Sequence, residues 1–85
     1  MPKATKHIKV KERKLGREKV WGWAHYTNNL IELDVRLKGY RRLLYLIHEM
    51  LHIIHPDWSE TKVRKVSSLY ARQIWQDGFR KVELK

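Results

Sequence analysis

The segment His48-Glu49-Met50-Leu51-His52 directly follows the longest strongly apolar run of the chain. Residues four apart on an α-helix lie one turn above each other, so His48 and His52 can direct two imidazole nitrogens at one metal ion. Glu49 lies about 100° round the helix, from where its carboxylate reaches a water on the metal rather than the metal itself. On a helix, this His-Glu-x-x-His pattern is typical of zinc-bound hydrolytic sites.

The flanking sequence predicts the helix that the motif requires. Apolar residues recur at helical spacing and form one stripe, made of Leu43, Leu46, Ile47, Met50, Leu51 and Ile54. The histidines at 48, 52 and 55 fall on the opposite side. We therefore predict a first helix from Arg41 to His55, ended by Pro56, with one buried face and one face that presents ligands.

A catalytic zinc usually takes three protein ligands and keeps one position for water, so a third ligand is needed. Glu60 is favoured because it follows a four-residue turn, Pro56 to Ser59, and can swing back toward the metal. Asp57 has a shorter reach, and His25 is remote in sequence. His55 would lie about 10.5 Å from His48 along the helix axis, too far to share one tetrahedral ion. Glu60, Asp57, His55 and His25 all remain candidates.

A second helix is predicted from Glu60 to Asp77. Ser59 is a good N-cap, and a carboxylate at position 60 is also favoured by the positive helix end without any metal. Gly78 suits the position after the helix, where Phe79 can make the apolar contact. The predicted inward stripe is Val63, Val66, Tyr70 and Ile74.

Three alternating segments upstream predict strands over residues 7–11, 19–26 and 30–37. Their short connections predict an antiparallel meander. The predicted fold is α+β: a three-stranded antiparallel meander followed by two antiparallel helices, in the order β-β-β-α-α. Residues 1–85 form one domain, in which residues 1–6 are expected to be a frayed tail.

Five residues outside the motif are further candidates for the core, for ion pairs or for the site: two tryptophans, two acidic residues and one tyrosine. Trp21 and Trp23 share one strand face and are predicted to lie in the core, because a small domain needs their area; stacking on nucleic-acid bases is the alternative. Glu32 and Asp34 are predicted to face solvent and to pair with Arg or Lys. Tyr45, one turn before the first motif histidine, could donate to an oxyanion or flank the cleft.

Composition limits the function. With no cysteine, a zinc site must use His, Asp, Glu and water. The net charge is +10, and eight basic residues lie between Lys3 and Lys19. This charge favours a polyanion, such as weakly and non-specifically bound nucleic acid, an acidic protein or an anionic surface; a solvated basic surface with no dedicated partner is the alternative. The sequence has neither an apolar signal region nor a run long enough to span a membrane, so a cytoplasmic location without membrane contact is predicted.

Several segments together resemble small phage and bacterial metallopeptidases with a minimal zincin fold, similar to a trimmed SprT-like core. The segments are Trp21-Gly22-Trp23-Ala24, Ile31-Glu32-Leu33-Asp34, Arg36-Leu37-Lys38-Gly39, Leu46 to His52, Pro56-Asp57-Trp58-Ser59-Glu60, Ile74-Trp75 and Gly78-Phe79-Arg80. The resemblance covers about residues 14–81. It implies a small sheet on two helices, zinc bound by His48, His52 and Glu60, and Glu49 as general base. Larger SprT-like proteins act on proteins crosslinked to DNA, which suits the basic charge.

Two functions are therefore predicted. The first is a zinc-dependent peptidase in which a metal-activated water attacks a protein or peptide substrate and Glu49 is the general base. The second is a basic nucleic-acid-binding module whose zinc site is structural or vestigial. A fourth protein ligand, which would leave no position for water, would distinguish the second from the first.

Overall fold

The computed structural model describes residues 7–82, so the frayed tail predicted for residues 1–6 lies outside the described residues. The elements are β1 (Lys9–Arg13), β2 (Gly22–His25), β3 (Leu30–Asp34), α1 (Gly39–Ile54) and α2 (Glu60–Gln76). The predicted α+β fold and its element order are confirmed. The strands are displaced or shorter than predicted, whereas both helices begin and end within two residues of the predicted limits.

The first helix is buried on two sides because it lies between the sheet and α2. Its sheet side joins a cluster built on Ile31, Leu33, Leu37 and Ile53. Its other side joins a second cluster built on Ile47, Leu51, Val63 and Ala71. The predicted single stripe is therefore divided between two partners, and Ile53, which lies outside that stripe, is part of the core.

The predicted antiparallel meander is wrong, because the strand order is β1-β3-β2 and the sheet is mixed. β1 pairs with β3 in parallel, and β2 pairs with β3 antiparallel. The eight residues between β1 and β2 carry the chain past the end of β3, so that β2 returns along the far side. A meander would have required β1 and β2 to be neighbours.

A buried contact fixes this crossing. Leu15 is fully buried, and its backbone N–H donates to Asp34 Oδ2 at 3.0 Å. Asp34 Oδ1 accepts from the backbone N–H and from Nε of Arg36, at 2.9 and 2.8 Å. The backbone N–H of Asp34 donates to the carbonyl of Trp21 at 2.8 Å. One carboxylate thus ties the segment after β1 to the end of β3.

The second helix has the predicted Ser59 N-cap and the predicted glycine after its end, but Phe79, expected to make an apolar contact there, is 67% exposed. Ser59 Oγ accepts from the backbone N–H of Lys62 at 3.1 Å, and Gly78 adopts a φ of 98°, which a side chain would strain. The inward stripe is partly wrong: Tyr70 is 54% exposed, and Ser67 and Ala71 lie in the interior instead. The small residues at 67 and 71 allow α2 to approach α1 closely.

Two predictions for the sheet are also wrong. Trp21 packs against the core, as predicted, but Trp23 is 42% exposed. Glu32 and Asp34 both pair with arginine, as predicted, but Asp34 is only 1% exposed and does not face solvent. Within residues 7–82, neither helix has the length and apolar content needed to cross a membrane, and the cytoplasmic location stays a prediction.

We expect Asp34→Asn to lower the urea midpoint of unfolding at pH 7 and to weaken the acid sensitivity of the fold. The Arg36 guanidinium and backbone N–H, with the Leu15 N–H, hold the pKa of Asp34 well below its usual range. A lowered native pKa contributes stability that is present above the unfolded value of about 3.9 and is lost as the pH falls below it. Urea titrations from pH 2.5 to 7 measure this effect.

The matched control is Asp57→Asn, because Asp57 is exposed and lies in the turn between the helices. It should leave both the midpoint at pH 7 and the acid dependence as in the wild type. If Asp34→Asn unfolds in acid with the same pH dependence as the wild type, Asp34 does not stabilise the strand crossing through its charge.

Candidate metal centre

The second half of α1 brings the two motif histidines together. His48 and His52 lie one turn apart, their ring centroids are 4.9 Å apart, and their Nε2 atoms are 3.2 Å apart. Only 15% and 18% of their side-chain areas are exposed. The same nitrogen of each ring therefore points to one small region at the edge of the helical hairpin.

Glu60 completes this region from α2. The chain reverses after α1, so the first residue of α2 returns beside the last turns of α1. Glu60 Oε1 lies 2.8 Å from His52 Nε2, and Oε2 lies 3.2 Å from His48 Nε2. Arg64, one turn along α2, places Nη2 3.2 Å from Oε2 and helps to orient the carboxylate.

The spacing of these three groups fits a zinc ion. Zinc ligands lie at about 2.0–2.2 Å, so two ligands at a tetrahedral angle are roughly 3.3 Å apart. The two Nε2 atoms are 3.2 Å apart, which is close to that value, and one ligand atom from each of the three residues lies within 4.8 Å of the others. Within residues 7–82, these three side chains form the one group of at least three His, Asp or Glu with metal-ligand proximity.

The local electrostatics also suit metal binding. Burial lowers the pKa of His48, although Glu60 opposes the shift, so the ring is neutral at pH 7, as a ligand must be. Partial burial would raise the pKa of Glu60, but His48, His52 and Arg64 outweigh it and lower the pKa. Glu60 is therefore an ionised carboxylate near neutral pH.

Glu49 lies next to the group but outside it. Glu49 is only 8% exposed. Burial raises the pKa of its carboxyl to about 7, and the charge of Glu60 contributes a smaller part of the rise. Glu49 lies against β2, where a Cβ on Gly22 would be 3.0 Å from its Cγ and its Oε2. The missing side chain of Gly22 therefore makes the room that the buried carboxylate occupies.

Two contributors were missed in the sequence analysis. The prediction treated Gly22 only as a strand residue and gave Tyr26 no role at the site. Burial raises the pKa of the Tyr26 phenol, and the charges of Glu49 and Glu60 add to the shift. The sequence signal for Gly22 is the absence of a side chain within an otherwise aromatic strand, which indicates close approach of another group.

The other ligand candidates lie elsewhere. His55 is the C-cap residue just after α1, and its ring stacks on the Trp58 ring with centroids 3.9 Å apart. His25 Nε2 lies 2.9 Å from Glu32 Oε1 on the sheet. Asp57 is exposed in the turn. Among the described residues, Glu60 is thus the one candidate third ligand that meets both motif histidines.

A cleft of about 370 Å³ opens beside the group. It is lined by Leu44, Tyr45, His48, Glu60, Arg64, Ser67 and Ser68. The Tyr45 ring lies 6.5 Å from the His48 ring, so it flanks the cleft, which was one of its two predicted roles. The walls combine apolar surface, hydroxyls and one guanidinium, which suits contact with a polar backbone.

No protein-family model matches this chain, and neither a curated protein nor a solved structure does. The resemblance to SprT-like zincins therefore stays a prediction that rests on the sequence motifs.

We expect one zinc per chain in the wild type and none in His48→Ala or His52→Ala, because each substitution removes one of the two nitrogens that meet at the site. Glu60→Gln should weaken zinc affinity by on the order of tenfold or more, since an amide is a poorer ligand than a carboxylate. Elemental analysis after dialysis, followed by titration against a chelating dye, measures both effects.

The control variants are His55→Ala and Asp57→Asn, which alter the two candidates that lie away from the group. Both should bind zinc as the wild type does. Equal zinc in the wild type and both motif-histidine variants would show that His48, His52 and Glu60 form an ordinary hydrogen-bonded cluster.

Proposed function

We propose that this protein is a zinc-dependent peptidase. The observation that carries the proposal is a buried carboxylate, Glu49, which follows His48 in the helix but does not belong to the three-residue group. A site with three protein ligands leaves a fourth position for water or substrate, which structural zinc sites lack. Glu49 is then a candidate base rather than a ligand.

Each residue has a distinct task in this proposal. Zinc supplies Lewis acidity, which lowers the pKa of water and polarises a carbonyl oxygen. Glu49 accepts a proton from the attacking water on its carboxylate and passes it to the amine that leaves. Tyr26, whose pKa is raised by burial and by the charges of Glu49 and Glu60, keeps its proton near neutral pH and is a candidate donor to the oxygen on which negative charge develops.

The sheet offers a place for an extended substrate. β2 pairs with β3 on one side only, so within residues 7–82 its outer edge keeps unpaired backbone groups. Gly22 brings this edge against Glu49. A protein or peptide substrate added as a further strand would therefore run past the site, held by main-chain hydrogen bonds.

The second predicted function remains distinct. A basic nucleic-acid-binding module with a structural or vestigial zinc site would need a fourth protein ligand or an inactive general base. The three-residue group among the described residues favours the peptidase. A cytoplasmic location and a role in DNA-associated proteolysis stay predictions.

We expect Glu49→Gln to retain zinc and to lose hydrolysis by at least about a hundredfold, the smaller end of general-base contributions. The amide keeps the shape of the side chain but cannot accept the proton near neutral pH. The measurement is cleavage of unfolded protein, with and without bound DNA, together with zinc content. Undiminished cleavage by Glu49→Gln would remove Glu49 as the base.

Gly22→Ala provides a second variant that keeps the carboxylate and displaces it. The added Cβ would meet a flexible side chain at 3.0 Å, so Glu49 should move while the strand persists. Cleavage should fall and zinc should stay bound. Gly16→Ala is the control, because its Cβ would meet only Arg36 Nη2, at 3.9 Å. Equal activity in both alanine variants would contradict this positioning role.

A further inference from the structure

The face of the sheet that points away from α1 is a second surface with its own chemistry. Ile31 and Leu33 point toward α1, so Leu30 and Glu32 point to the opposite side of β3. In the strand register, Glu32 lies beside Lys11 of β1 and Trp23 of β2. The exposed or half-exposed residues on this side are Lys9, Lys11, Arg13, Leu30, Glu32, Trp23 and His25, and we call it the open face. Asp34 shares the side by its register with Arg13 but is buried.

No other described element packs on the open face, since α1 contacts β2 and β3 from the opposite side and α2 contacts only α1 within residues 7–82. All five residues of β1 are exposed. Within residues 7–82, no helix or further strand therefore covers this side of the mixed sheet. The connection between β1 and β2 reaches only its Arg13 end, where Glu18 Oε2 lies 3.6 Å from Arg13 Nη1.

The charges of the open face are not balanced. Glu32 is already occupied, because it accepts from Arg13 Nε at 2.7 Å and lies 2.9 Å from His25 Nε2. Lys9 and Lys11 form no ion pair within residues 7–82. The ammonium groups on this face therefore favour an anionic ligand, and both carboxylates of this side, Glu32 and the buried Asp34, are paired with arginine.

Trp23 is the distinctive residue of the open face. The rings of the other three tryptophans, Trp21, Trp58 and Trp75, are each covered by a cation. Trp23 is the one tryptophan of the described residues without a cation over its ring. It is 42% exposed, and its ring stacks on the His25 ring with centroids 5.0 Å apart. A large, partly exposed aromatic ring on the edge strand of this uncovered face is a platform for a second flat ring.

We propose that the open face binds single-stranded nucleic acid, with a base stacked on Trp23 and phosphates beside Lys9 and Lys11. Lys11 and Trp23 lie two β-strands apart, which is roughly 10 Å between their backbones. Their long side chains can therefore contact adjacent parts of one nucleic-acid strand. A duplex hides its base faces, so an exposed ring favours unpaired bases. The proposal does not depend on the metal site, which lies on the other side of the sheet.

The test is fluorescence anisotropy of a labelled ten-nucleotide oligo-dT with the full-length protein, in low salt and with a chelator present. We expect binding that weakens as salt rises. Trp23→Leu should weaken it roughly fivefold or more, and Trp23→Phe, which restores a flat ring, should bind close to the wild type. Tyr70→Leu, which removes an exposed aromatic ring from α2, should have no effect.

The phosphate contacts are tested separately. Lys9→Gln with Lys11→Gln should reduce the slope of log affinity against log salt by about 1.4, since each lost contact on a single strand removes about 0.7. The charge-matched control is Lys65→Gln with Arg72→Gln, on the exposed side of α2. Equal loss in both double variants would show diffuse attraction and overturn the proposal.

Competition identifies the class of ligand. Unlabelled oligo-dT should displace the probe, whereas a hairpin duplex of equal charge and polyglutamate should displace it at least several-fold less well. Equal displacement by the duplex or by polyglutamate, or unchanged affinity in Trp23→Leu, would show that the open face is not a single-strand site.

Discussion

The structure depends on the burial of α1 on two sides. α1 is the one described element that contacts both the sheet and α2, so it must be apolar toward each. Ile53 serves the sheet side, and Ile47 and Leu51 serve the α2 side. His48, Glu49 and His52 lie in the same turns of the helix as these apolar residues, and Glu49 is directed toward Gly22 of β2. The packing that stabilises the domain thus also brings both histidines within reach of Glu60 at the start of α2.

Residues of the candidate site lower the stability of the metal-free protein. Among the described residues, Glu49 has no hydrogen-bond partner for its carboxylate, and burial raises its pKa to about 7. Ionising such a group in a poorly solvated position costs folding free energy that a well-packed apolar residue would not. Gly22 adds to this cost because it gives up a side chain in a strand. Residues that lower stability without helping the packing are expected where function requires them.

The sequence predicted the parts of the fold that depend on local chemistry. Helical spacing, Pro56, Ser59 and Gly78 act within a few residues, and the helix limits agree with the structure to within two residues. The same locality explains why Glu60 could be favoured as third ligand: a short turn leaves few places for the next side chain. The assignment of zinc, of Glu49 as base and of peptidase activity stays a prediction.

Long-range contacts explain the errors. The parallel pairing of β1 with β3 depends on Leu15 and Asp34, which are 19 residues apart and meet only after folding. Periodicity placed Trp21 and Trp23 on one strand face, but Trp21 precedes the strand and packs on the core. The sheet has a helix layer on one side only, so Trp23 on the other side stays exposed. No pattern in the sequence indicates which side of the sheet the helix covers.

The central claim is that His48, His52 and Glu60 hold one zinc and leave a position open beside Glu49. The most direct test is a crystal structure of the zinc-loaded protein, with the ion located by anomalous scattering at the zinc edge. We predict zinc bound by Nε2 of both histidines and by the Glu60 carboxylate, with a water as the remaining ligand and Glu49 within hydrogen-bond reach of that water. A fourth protein ligand in place of the water, or zinc bound away from these three residues, would contradict the account.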